Sequence, residues 1–215
     1  ITTGGCTDAI SFCLLSLTKK GDTIIVESPA FFGTLRLAQY IGLHVIEMPT
    51  HPLTGIEVDE LKKVIKKTKV AACILVANYS NPIGSCMPDE HKRAVVELME
   101  KYNVPLIEDD VYGDIHFGSQ RPNSCKTFDE SGIVLWCSSF SKTLASGYRV
   151  GWVAPGRFKE QVEKTKHFHS MFSSTIPHEA IGNFLESGKY EHNLKKLRTN
   201  LQLNLLNFQR CIEDY

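Results

Sequence analysis

A lysine flanked by hydroxyls stands in the string Ser138-Ser139-Phe140-Ser141-Lys142-Thr143, and Arg149 follows seven residues after the lysine. Arginine presents a planar fork that grips phosphate or carboxylate. A lysine desolvated beside such a cation sheds its proton, and the free amine attacks aldehydes. The same two residues on an open surface would be solvated charges and nothing more. Two further clusters carry related groups, Asn78-Tyr79-Ser80-Asn81-Pro82-Ile83-Gly84 and Asp109-Asp110-Val111-Tyr112. Amine, guanidinium, carboxylate, phenol and amide together suit an anionic heterocycle. A P-loop is the rival for the Ser-Lys-Thr string, but the leading glycines it requires are missing.

Each cluster follows a short apolar run, at 71–76, 104–107 and 133–137, and similar runs occupy 23–26, 43–48 and 150–154. Helical periodicity fills 7–17, 32–41, 58–67, 89–102 and 157–167, and only helical pattern follows Pro177. Pro88 before Asp89 and Glu90 opens one of these helices, with acids where the helix dipole favours them. Such alternation predicts an α/β fold: a mostly parallel sheet of about seven strands covered by helices on both faces. Ligands of open α/β sheets bind beyond the carboxyl ends of the strands, where all three clusters fall.

Composition narrows the function. Hydrophobic residues make up 42% and charged residues 22% of the 215, as in an ordinary soluble globular protein. Lys+Arg and Asp+Glu number 24 each, so no global charge draws the chain to nucleic acid or an anionic membrane. No run reaches the roughly 18 apolar residues of a membrane span. The seven cysteines form no C-x-x-C pair and several sit in apolar runs, which points to a reducing, cytoplasmic setting rather than disulfides or zinc. His167 and His169 face apart on a helix, so no metal site is expected. The first residues carry neither signal-peptide features nor an initiator methionine, and the chain reads as a fragment of something longer.

From Ser139 through Lys142 and Arg149 to Trp152, the sequence resembles the lysine signature of the class I and II aminotransferases, which carry pyridoxal phosphate (PLP fold type I). The resemblance covers essentially the whole chain, with the family's motifs in order. It implies that Lys142 forms the Schiff base with PLP, that Ser139 and Arg149 hold the phosphate, and that Ser141 assists. Asn81-Pro82-Ile83-Gly84 resembles the family's Asn-Pro-Thr-Gly motif, which gives Asn81 to the ring's 3′-oxygen; Ile83 replaces the threonine. Asp109-x-x-Tyr112 matches the pair in which the acid meets the pyridinium nitrogen and the phenol meets the 3′-oxygen. Gly5, Cys6 and Thr7 resemble the turn whose backbone N–H groups and helix dipole receive the phosphate, and Phe31 stands where a ring stacks on the cofactor. Cys6 and Phe31 read equally well as packed core.

The strings 105–118, 121–129, 134–152 and 184–198 are similar to the aminotransferase-like domain of MocR-type regulators in the GntR superfamily. That resemblance implies a homodimeric PLP-binding large domain over residues 1–215 that senses a small amino compound. DNA would be bound only through a winged-helix domain before Ile1. A smaller domain after Tyr215 would hold the arginine that clamps a substrate carboxylate, and without it turnover is expected to be poor. Leu194, Leu201, Leu203, Leu205 and Leu206 would lie on a helix whose apolar face meets that domain or another subunit. Two other readings stay open: a stand-alone aminotransferase moving an amino group between an amino acid and a 2-oxo acid, and a folded remnant that only dimerises.

Overall fold

β-Branched residues lose little freedom in an extended chain, and the apolar runs that carry them become strands. In the computed structural model, which describes residues 1–213, the strands are β1 (Thr2–Thr3), β2 (Thr23–Ser28), β3 (His44–His51), β4 (Gly55–Ile56), β5 (Ala72–Leu75), β6 (Leu106–Asp109), β7 (Val134–Ser139) and β8 (Gly151–Ala154). They form one sheet in the order β1-β8-β7-β6-β5-β2-β3-β4. The five central strands run parallel, whereas β8 is antiparallel to both β7 and β1, and β4 to β3. The expected sheet is present, extended by two-residue edge strands too short to show a period.

Seven helices cover it among the described residues: α1 (Cys6–Leu17), α2 (Phe32–Ile41), α3 (Val58–Lys67), α4 (Asp89–Tyr102), α5 (Lys159–Ser170), α6 (Thr175–Glu186) and α7 (Lys189–Glu213). Their ends follow local chemistry. α2 stops at Gly42, whose φ of 82° only glycine adopts freely. In α3, Asp59 and Glu60 occupy the first turn and Lys66 and Lys67 the last, each complementing the dipole. Its Leu61 and Ile65, four residues apart, are the face that packs on the sheet.

Successive strand residues point to opposite faces, so a sheet covered twice is apolar at every central position. Ile24, Val26 and Ile74 pack toward α1, with Ile10, Cys13 and Leu14, and Val162 of α5 joins them. Ile25, Cys73 and Leu75 pack the other way, against Leu61 and Ile65 of α3 and Val95, Val96 and Met99 of α4. Each fully buried aliphatic side chain contributes about 1.5–3 kcal/mol. The chain leaves β2 toward β3, yet β5 lies on β2's other side. That reversal opens a crevice beyond the carboxyl ends of β2 and β5.

Candidate functional site

A cavity of about 220 Å³ lies at those strand ends. Lys142, Asp109, Tyr112, Asn81, Ser139 and Ser141 line it, as do Arg149, Cys6, Thr7 and Phe31. Every residue expected at the site therefore faces one space except Gly5, which stands beside it against Arg149. Three lining residues escaped the sequence reading: Val76 just after β5, Val111, and Ser146, a hydroxyl inside the lysine signature. The first two are apolar and carry no signal.

Local chemistry sets each wall. α1 opens at Gly5 with φ 116° and no side-chain cap, so the N–H groups of its first turn are free for a ligand. A Cβ on Gly5 would sit 2.6 Å from Arg149 Nη2, so glycine alone lets the guanidinium lie against the helix start. Arg149 itself holds φ 53°, a left-handed conformation that costs a non-glycine residue about 1–3 kcal/mol. The Asn81 amide donates to the Tyr112 hydroxyl at 3.2 Å. Lys142 Nζ lies 5.5 Å from the centre of the Tyr112 ring. The Ser141 N–H points to Ser139 Oγ at 3.4 Å.

Asp109 is the carboxylate on the cavity wall. Burial pushes its pKa up to about 6, while the Cys6 thiol, the Val111 N–H and the Lys142 charge pull it back, so it is mainly ionised at neutral pH. The thiol donates to Oδ1 at 3.2 Å. Asp110 turns away: its oxygens accept from Trp136 Nε1 at 2.8 Å and Asn78 Nδ2 at 3.0 Å, and pair with Arg121. Lys92 of α4 is wholly buried and donates to Asn78 Oδ1 at 2.8 Å and the Asn123 carbonyl at 2.6 Å. This network holds the 109–112 turn from behind. Glu27, at the end of β2, accepts the Val76 N–H at 2.7 Å and braces the crevice.

The donor set fits a phosphorylated pyridine aldehyde. Gly5's missing side chain and Arg149 make room for an anion, Asp109 offers a carboxylate, and Lys142 offers an amine in the same cavity. The family model for "Aminotransferase class I and II" matches residues 1–208. The chain belongs to that family. Pyridoxal phosphate is the cofactor of this family, and no helix among the described residues is long and apolar enough to cross a membrane.

Its relatives within the family include regulators. The chain is 39% identical over all 215 residues to the HTH-type transcriptional regulator YjiR of Escherichia coli, covering 46% of that protein. It is 34% identical to the HTH-type regulator YdcR of the same organism, over 94% of this chain and 43% of the relative. The chain thus spans less than half the length of these two relatives. Among solved structures, a multiple substrate aminotransferase from Thermococcus profundus superposes with a TM-score of 0.94 at 24% identity, over all of this chain and 55% of that one, which shows the fold.

Proposed function

We propose that the chain is the PLP-binding effector domain of a GntR/MocR-type transcriptional regulator. One observation carries the reading: whole-chain identity of 39% to a helix-turn-helix regulator, in a chain that keeps a lysine and a carboxylate in one cavity. Bound there, pyridoxal phosphate would supply an aldehyde that condenses with amines and a ring that accepts electrons. Lys142 is the amine that holds it. Asp109 would offer its carboxylate to the ring nitrogen and favour the protonated form there, since an opposite charge within about 4–6 Å favours the charged form. Asn81 and Tyr112, already hydrogen-bonded to each other, present the ring's oxygen with an oriented pair of polar groups. Arg149, Ser139 and the first turn of α1, from Gly5 through Cys6 and Thr7, would hold the phosphate, with Ser141 beside them. Phe31, which lines the cavity, would supply an apolar face for the ring. With an amino compound held in its place, the Lys142 amine would be free to take up or return a proton in the cavity.

In this reading the parent protein is a cytoplasmic homodimer, and a separate domain contacts DNA. The amino compound shifts the parent between states by binding them unequally. All seven cysteines are free thiols.

Titration with PLP tests the cofactor half. The chain should gain a visible absorbance band that Lys142→Ala lacks, and Asp109→Asn should weaken uptake at least about tenfold, the scale of one lost charge-assisted contact. No band in the unaltered chain would end the reading. Similarity at 30% identity to an aminotransferase of Saccharolobus solfataricus, which the chain covers to 50%, favours an enzyme as the second reading. Amino transfer to a 2-oxo acid by the full-length parent, with DNA binding indifferent to amines, would select it.

A further inference from the structure

We propose that the thiol of Cys6 is a positioning group for Asp109, donating its S–H to Oδ1 so that the carboxylate is held on the cavity wall. The inference rests on the cofactor reading above. Cys6 is the first residue of α1, 7% exposed, and its Sγ lies 3.2 Å from Oδ1. No other side chain among the described residues hydrogen-bonds Asp109. One residue thus serves two ends of a ligand: its backbone N–H belongs to the anion-binding turn, and its side chain orients the acid.

A buried cysteine is often only a small apolar plug. Two features set this one apart. Its partner is a cavity-wall carboxylate rather than an apolar side chain. Burial and that carboxylate also hold the thiol's pKa well above its ordinary value, so it remains an S–H donor wherever Asp109 titrates. The charges that bear on Asp109 come from several elements: Lys142 after β7, Asp110 beside it, and Glu27 at the end of β2. The buried Cys137 thiol of β7, register partner of Asp109, faces Cys13 of α1 at 3.8 Å. The Cys6 thiol and the Val111 N–H are the donors that lower the acid's pKa, against the rise caused by burial.

The test follows the Asp109 carboxyl directly. Carbon NMR of the chain labelled in aspartate, without cofactor and assigned through Asp109→Asn, gives its titration midpoint. In Cys6→Ala and Cys6→Val the midpoint should rise by about one pH unit, the scale of a lost hydrogen bond to a charged group. Cys6→Ser, which keeps a donor, should stay within a few tenths of a pH unit of the parent chain. An unmoved midpoint in the valine variant, or an equal rise in the serine variant, would overturn the assignment. Equilibrium dialysis with PLP supplies the second readout. Cys6→Val should bind about tenfold more weakly near about pH 5 and about twofold more weakly near pH 7, and approach the parent near about pH 9, where the acid is ionised in both. Equal weakening at every pH would mark mere packing and also overturn it. A shifted midpoint with no PLP uptake by any chain would sink the cofactor reading and leave the thiol's role standing. Normal uptake with an unmoved midpoint would do the reverse.

Discussion

Asp109, Glu27 and Glu108 share an environment that ordinary carboxylates avoid. Burial pushes the first to about 6 and the two glutamates to about 7. A folded pKa raised above the unfolded one contributes stability that is full below the unfolded value, near pH 4, and lost as pH rises through the folded value. These three acids therefore make the cofactor-free chain more stable near pH 5 than near pH 8. Glu27 is the sharpest case, because Oε1 is buried beside the Ser80 hydroxyl while Oε2 accepts the Val76 N–H. Glu27→Gln keeps that acceptor, removes the charge and adds a donor. Its melting temperature should come closest to the parent's near about pH 4 and exceed it near pH 8 by several degrees, at about 2–4 °C per kcal/mol for a chain of this size. Calorimetry at the two pH values decides. A loss at both would mean that the ionised acid is the stabilising form.

At the scale of elements, α7 fastens the two loops that carry the site. Arg198 Nε donates to the Asp114 carbonyl at 2.7 Å, two residues beyond Tyr112, and Asn193 Nδ2 donates to the Thr143 carbonyl at 3.1 Å, next to Lys142. Arg198→Ala should lower the melting temperature by a few degrees, since a hydrogen bond from a charged group contributes about 1.5–3 kcal/mol. Amides of residues 113–115 should exchange faster while those of α3 keep their protection, which hydrogen-exchange mass spectrometry resolves. Uniform loss of protection would mean that α7 supports the whole fold and not these loops. This tie was not legible in the sequence, because α7 and the loops lie far apart along the chain. What was legible had local causes. α2, α3 and α4 begin and end where the sequence reading put them, because Gly42, Pro88 and the charged end turns of α3 announce their boundaries. Motif order and strand ends brought the lysine, acid and amide to one place. The burial of Lys92 contradicts its charged, amphipathic surroundings, and only the distant Asn123 carbonyl and Asn78 explain it. The Cys6 thiol was invisible for the same reason: nothing in its neighbours reveals an acid 103 residues away.

The chain as a whole leaves apolar side chains uncovered in more than one stretch of sequence, among them Leu203, Leu205, Leu206, Phe208 and Ile212 of α7, but the most exposed group lies elsewhere. Phe168, Met171, Phe172 and Ile176, at the junction of α5 and α6, are 74%, 63%, 83% and 80% exposed. Single exposed apolar residues are common in monomers, but a contiguous group marks an association surface. A net charge of zero places no long-range repulsion between two copies. If this junction is where the proposed homodimer forms, changing it should cost association and spare folding, because side chains already in solvent add little to the stability of one chain. Phe172→Ser combined with Ile176→Ser should weaken self-association at least about tenfold in sedimentation equilibrium, a small part of what an aromatic anchor at an interface can contribute. In dilute solution, where both chains are monomers, the melting temperature should move by no more than about 2 °C, as for ordinary surface substitutions. Association as strong as the parent's would place the dimer contact elsewhere. A large fall in melting temperature would show instead that the junction packs within one chain, and that the stretch is a piece of core rather than a meeting surface.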